Sequence, residues 1–180
     1  DTNVTTCGVA TNDCTLRGAI NKVNLSGVGQ EIQFAPAITQ INLSAPLPTL
    51  NMTGTIIQGT AGVPRINGAN LVGSGDDMFT LDTRDARITG LTMINGRRSD
   101  ILVKSGTANQ IDHNYLGVSS PSATECLTDG ATRMGSVGIW LQENVSASGG
   151  TSVWIHGNVI GCHAFDGISA IGADDTKIGI

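Results

Sequence analysis

Four stretches of this 180-residue chain start on the same apolar residue: "ITGLTMING" from Ile88, "IDHNYLGVS" from Ile111, "IHGNVIGCH" from Ile155 and "IGI" from Ile178. Aligned on that Ile, Thr89, Asp112, His156 and Gly179 fall in one column. Arg87, Gln110, Trp154 and Lys177 fall in the adjoining one. An acid beside an imidazole can move a proton to or from a substrate. Asp112 and His156 are therefore the candidate catalytic pair, with two cations and a tryptophan on the same face. Trp140 and Trp154 are candidate ligand-binding residues, because Ile139, Leu141, Val153 and Ile155 alternate with them and would face inward. The same columns also describe a solvated sheet face on which Asp and His are ordinary neighbours.

Other chemistry is sparse. His113 aligns with Gly90 and Gly157, which reads as a turn position, and His163 follows Cys162 in a corner expected to be exposed. "DTRDAR", from Asp82 to Arg87, reads as a solvated turn whose ion pairs contribute little. A glycosidase needs two facing carboxylates, and a calcium-dependent lyase needs several acids around the ion. Asp174 and Asp175 are only two acids together, so no metal and no cofactor is expected. No nucleophile elbow, phosphate-binding loop or dinucleotide fingerprint occurs.

The elements that would position these residues repeat. The leading Ile residues are 23, 44 and 23 residues apart. The long step contains "SSPSATECLTDGATRMG", a Ser/Thr/Gly-rich stretch read as a loop insertion over residues 119–136. A second series interleaves with the first at Phe79, Ile101, Ile139 and Ile168. A repeat of this length made of short strands cannot bury its own apolar face, whereas stacked neighbours can. The spacing predicts an all-β fold, a right-handed parallel β-helix of about five coils, forming a single domain over residues 1–180. Ile88, Ile111, Ile155 and Ile178 would form one inward column, and Met93, Leu116 and Ile160 another. Asn114 and Asn158 share a register position, where they either stack their amides along the axis or supply left-handed turns.

Composition agrees. Gly is abundant at 24 residues, charged residues make up 14% and aromatics 3%, against roughly 25% charged in an ordinary soluble domain. The net charge of −5 and a pI near 4.9, with no run of Lys and Arg, argue against nucleic acid as a partner. No apolar stretch approaches the ~20 residues of a membrane span. Cys7, Cys14, Cys126 and Cys162 lack the spacing of a zinc site. Cys7 and Cys14 bracket a short loop that a disulfide could close. Cys126 and Cys162 leave the same corner of adjacent coils, where a second disulfide would pin the insertion. Such usage suits an oxidising compartment. Asn3, Asn24, Asn42, Asn51 and Asn144 each open an N-x-S/T triplet, a candidate glycosylation site that the Ser/Thr-rich composition also explains.

One stretch has helical spacing. In "CTLRGAINKVN", residues 14–24, Leu16, Ala19, Ile20 and Val23 make one apolar stripe. Laid across the first coil, with Asp13 or Thr15 capping its start, this helix would seal the apolar core. The stretch resembles the Cys-Ser-Leu-Arg-Glu-Ala motif that opens many secreted bacterial β-helix proteins. Cys14, Leu16, Arg17, Ala19, Ile20 and Asn24 match it. Thr15 stands for Ser, and Gly18 departs from Glu, which costs about 1 kcal/mol of helix propensity relative to Ala and removes a carboxylate partner for Arg17. The resemblance is good over residues 7–70 and generic beyond. It implies a β-helix fold and a secreted or cell-surface location far more than any chemistry.

Two functions follow as expectations. The first is an extracellular, non-enzymatic structural or adhesive module. "KIGI" stops partway through a coil, so the C-terminal coil reads as open, to continue in a longer chain or to self-associate end to end into a filament. The alternative is a module that binds or cleaves polysaccharide at the Asp112 and His156 face.

Overall fold

The computed structural model describes residues 14–118, 137–142, 153–171 and 176–179. Helix α1 (Leu16–Ser26) comes first. It starts two residues later than the predicted 14–24 because Thr15 is the N-cap, its Oγ accepting the Gly18 amide at 3.1 Å. It ends at Gly27, whose φ of 75° closes the last turn in the left-handed conformation. Leu16, Ile20 and Val23 are buried and join the main core with Ile32, Leu43, Leu47 and Leu50. Arg17 reaches backbone carbonyls. Its Nη1 donates to the Pro46 carbonyl at 2.7 Å and its Nη2 to the Ala45 carbonyl at 2.8 Å. About two turns further on, Asn24 Nδ2 donates to the Thr49 carbonyl at 2.7 Å, and Asn24 Oδ1 accepts the Asn51 amide at 3.1 Å.

The strands follow in laps. The first lap has β1 (Glu31–Gln33) and β2 (Gln40–Asn42), and the second β3 (Ile56–Gln58), β4 (Arg65–Asn67) and β5 (Phe79–Asp82). The third has β6 (Arg87–Thr89), β7 (Thr92–Ile94) and β8 (Ser99–Ser105). The fourth has β9 (Asn109–Asp112), β10 (Tyr115–Leu116) and β11 (Val137–Leu141). The fifth has β12 (Val153–His156), β13 (Val159–Ile160) and β14 (Asp166–Ala170), and β15 (Lys177–Gly179) follows it. Three parallel sheets result. Sheet 1 runs β1-β3-β6-β9-β12-β15, sheet 2 runs β2-β4-β7-β10-β13, and sheet 3 runs β5-β8-β11-β14. An isolated parallel bridge from Leu50 to Leu81 adds the first lap to sheet 3. Among the described residues the fold is therefore all-β and parallel, with one helix.

The columns expected from the repeat are present in register. Ile32, Ile57, Ile88, Ile111, Ile155 and Ile178 pair in succession across sheet 1. Ile41, Ile66, Met93, Leu116 and Ile160 do so across sheet 2, and Phe79, Ile101, Ile139 and Ile168 across sheet 3. The apolar side chains of all three sheets meet in one core. Of the two roles open to Asn114 and Asn158, the amide ladder is the one observed. Asn114 Nδ2 donates to Asn158 Oδ1 at 3.1 Å and to the Ile88 carbonyl at 2.9 Å, while Asn114 Oδ1 accepts the Leu91 amide at 3.0 Å. A second ladder that the repeats did not announce runs through Asn42, Asn67 and Asn95, with Nδ2 to Oδ1 distances of 3.1 and 3.0 Å. Each ladder satisfies buried amides at a lap corner, Asn114 in the first and Asn67 and Asn95 in the second.

Register and burial together make a stability prediction. Ile88→Ala opens a cavity mid-column and is expected to cost about 2–5 kcal/mol. Ile178→Ala, in the same column but 59% exposed, should cost well under half of that. Urea denaturation midpoints of the two variants check the difference.

Candidate functional site

The outer face of sheet 1 carries the residues singled out from the sequence. Thr89, Asp112, His156 and Gly179 are successive partners, as are Arg87, Gln110, Trp154 and Lys177. Adjacency, however, does not make Asp112 and His156 a pair. The Asp112 carboxylate turns back toward β6 and toward its own turn. Its Oδ1 accepts Arg87 Nε at 2.7 Å, and its Oδ2 accepts Arg87 Nη2 at 2.7 Å and Thr89 Oγ1 at 2.9 Å. His113 Nδ1 lies 2.7 Å from the same Oδ2. A bidentate guanidinium, a hydroxyl and an imidazole thus fill the carboxylate, and Asp112 is 0% exposed. Burial by itself would raise its pKa; the hydrogen bonds from Arg87, His113 and Thr89 and the charge of Arg87 outweigh burial and bring it to about 2. So weak a base is a poor proton acceptor at neutral pH.

His156 meets a different partner, the ring of His113. The two ring centroids are 5.6 Å apart and the planes are perpendicular. His113 holds the expected turn position, with φ of 54°, and its amide donates to the His156 carbonyl at 3.3 Å. Its side chain is 65% exposed. The ring occupies space that glycine leaves: a Cβ placed on Gly157 would lie 3.1 Å from His113 Nε2.

A paired-carboxylate mechanism finds no second acid here. Glu31 is the other carboxylate on the strands of sheet 1. It sits on β1, three strands from β9, which at 4.8 Å per strand is about 14 Å away, beyond the roughly 5–10 Å that separates glycosidase carboxylates. Among the described residues, no group of three or more His, Cys, Asp or Glu is arranged to hold a metal. No protein-family model, curated protein or solved structure matches the chain. Its chemistry has to be read from its own geometry.

The two tryptophans do not share a patch. Trp154 lies on sheet 1, is 42% exposed, and has Lys177 Nζ 5.4 Å from its ring centre. Trp140 lies on sheet 3, is half-buried, and is capped by the Arg98 guanidinium at 5.1 Å. That guanidinium also holds both oxygens of Asp77, and Ser99 donates to the same carboxylate. Within "DTRDAR" the acid and base reach out of the turn. Asp82 pairs with Lys104 Nζ at 2.9 Å and with the Ser105 hydroxyl, and these hydrogen bonds hold its pKa down. Arg87 serves Asp112.

His163 is the largest departure from expectation. Its side chain is 2% exposed rather than solvated, and its Nε2 lies 3.0 Å from Asp100 Oδ2, itself buried. Burial raises the Asp100 pKa, and His163 offsets part of that. The slot exists because Gly117 and Gly138 have no side chains; a Cβ on either would lie 3.0 Å from His163 Cε1. The signal was in the sequence as two glycines of the fourth lap, one just after β10 and one in β11, but neither is adjacent to His163 in the chain.

Cys14 and Cys162 are not free thiols, while Cys7 and Cys126 lie outside the described residues. So do Asn3, Asn144, the insertion at 119–136 and Ile180. Asn42 and Asn51 are exposed. Asn24 is half-buried, with its amide nitrogen already engaged by Thr49.

The Asp112 network has a defined pH signature. Its folded pKa is depressed, so the stabilisation is present above the unfolded value near 4 and is lost as pH falls toward 2. Asp112→Asn should remove about 2 kcal/mol of acid-dependent stability between those limits. Denaturation midpoints measured across that window, for the wild type and for Asp112→Asn, check it.

Proposed function

We propose that the three parallel sheets are the faces of a right-handed parallel β-helix serving as a non-enzymatic structural or adhesive module outside the cell. The hand follows from the near-universal right-handedness of parallel crossovers. One observation carries the functional half: four acids are spent on ties between laps. Asp77 to Arg98, Asp82 to Lys104, Asp112 to Arg87 and Asp100 to His163 each join residues of different laps. Acids used this way stiffen the stack, and these four carboxylates are occupied by their partners rather than held ready for glycoside chemistry. Similarity to secreted proteins of the Cys-Ser-Leu-Arg-Glu-Ala type supports the location. So does the bonded state of Cys14 and Cys162, which we take to be Cys7–Cys14 and Cys126–Cys162 disulfides. End-to-end association belongs to the same reading, because a further coil from this chain or from another copy would extend every column in register.

A second reading, carbohydrate binding on sheet 1, is favoured by the exposure of Trp154 beside Lys177, which suits an acidic sugar. One panel of acidic and neutral polysaccharides separates the two readings. The purified chain is expected to release no new reducing or unsaturated ends from any of them. Cleavage that Asp112→Asn and His156→Ala both abolish would sink the structural reading. Retention on an acidic polysaccharide gel that Trp154→Ala removes would support the binding one.

A further inference from the structure

The geometry points to a transition-metal site formed by the imidazoles of His113 and His156 on the outer face of sheet 1. Three observations meet there. An imidazole nitrogen sits about 2 Å from a bound zinc, copper or nickel ion, so two rings sharing one ion have centres roughly 5–6 Å apart. The observed centroid separation is 5.6 Å. Next, a metal-bound histidine ordinarily donates its other ring N–H to a carboxylate, which fixes the tautomer and aims the free nitrogen. His113 Nδ1 has that partner in Asp112 Oδ2 at 2.7 Å. Asp112 is in turn fixed by Arg87 and Thr89. With Nδ1 engaged, Nε2 is the ligating atom, and no hydrogen bond among the described residues occupies it. Finally, the site is accessible and can adjust. His113 is 65% exposed. The ring of His156 makes no hydrogen bond among the described residues, so it can turn toward a shared ion without breaking one. A larger residue than Gly157 would push His113 aside, because a Cβ there would stand 3.1 Å from its Nε2.

Two protein ligands leave the remaining coordination positions to water or to oxygen atoms of another molecule, so the site is an open one. Its donors are imidazoles, which suit Zn²⁺, Ni²⁺ and Cu²⁺; calcium and magnesium, which take oxygen ligands, are excluded. Asp112 itself is not a ligand, because its oxygens face Arg87, Thr89 and His113.

The test is titration calorimetry of the full chain with zinc chloride and, separately, nickel chloride. One ion per chain is expected at this site. His113→Ala and His156→Ala should each weaken binding about tenfold or more, since a two-point chelate becomes a single ligand. Trp154→Ala, on the same sheet but without a ligating atom, should bind as the wild type does. Paramagnetic Ni²⁺ should broaden the amide signals of His113, His156 and Gly157 first. The inference is overturned if the wild type takes up neither ion, or if both histidine variants bind as tightly as the wild type. Circular dichroism checks that each variant is folded. If His113→Ala does not fold, His156→Ala decides alone, because it removes no hydrogen bond seen among the described residues.

Discussion

Parallel pairing between consecutive laps is the interaction on which the other features depend. Ile57 pairs with Ile88, Ile88 with Ile111, and Ile111 with Ile155, so one register runs the length of sheet 1. A slip of one residue would turn every inward Ile to solvent and every outward polar residue into the core. Register therefore fixes the core and the outer face together. It also explains why loop length varies while the register of the paired Ile residues does not. The step from Ile111 to Ile155 is nearly twice its neighbours, yet the pairs on both sides of it are in register. Extra residues leave at a corner, where lengthening a loop costs little closure entropy.

The same pairing sets where charge can reside. Strands one lap apart bring outward side chains within hydrogen-bond reach, so an acid meets the cations of neighbouring laps more readily than those of its own turn. Asp112 with Arg87 and Asp77 with Arg98 follow this rule, and their buried carboxylates are filled by several donors. A fully satisfied buried carboxylate positions what surrounds it, and at Asp112 the lowered pKa removes it from proton transfer at neutral pH. The asparagine ladders apply the same economy to uncharged groups, with Asn114, Asn158 and Asn67 bonding along the stack as well as to the backbone beside them.

Much of this was legible in the sequence. Recurring Ile, Met and Leu give the columns directly, and helical spacing in residues 14–24 reveals a helix among strands. Partner choice was not legible. Alignment brings Asp112 beside His156, but side-chain direction sends its carboxylate to Arg87 and His113. The burial of His163 depended on space left by Gly117 and Gly138, which becomes visible only when laps are stacked. A turn-position rule treated His113 as a substitute for glycine. It missed that the glycine in the next lap makes room for the ring.

That last point shows how a plain repeat can acquire a site. At this corner Gly90 and Gly157 flank His113 in register, and all three take positive φ, 70°, 63° and 54°. Glycine is the inexpensive choice there, and a histidine in the left-handed region needs compensation. His113 has three compensating contacts: the Asp112 carboxylate, the open space above Gly157 and the edge of His156. Only the first stabilises any imidazole at this position regardless of what lies beyond it. The other two hold the ring toward the next lap. A turn that needed only to close would be served as well by glycine, as it is one lap to either side. The placement of an oriented imidazole against a second one is thus a local departure from the repeat, and it is the feature of the outer face that lap-to-lap stiffness does not account for.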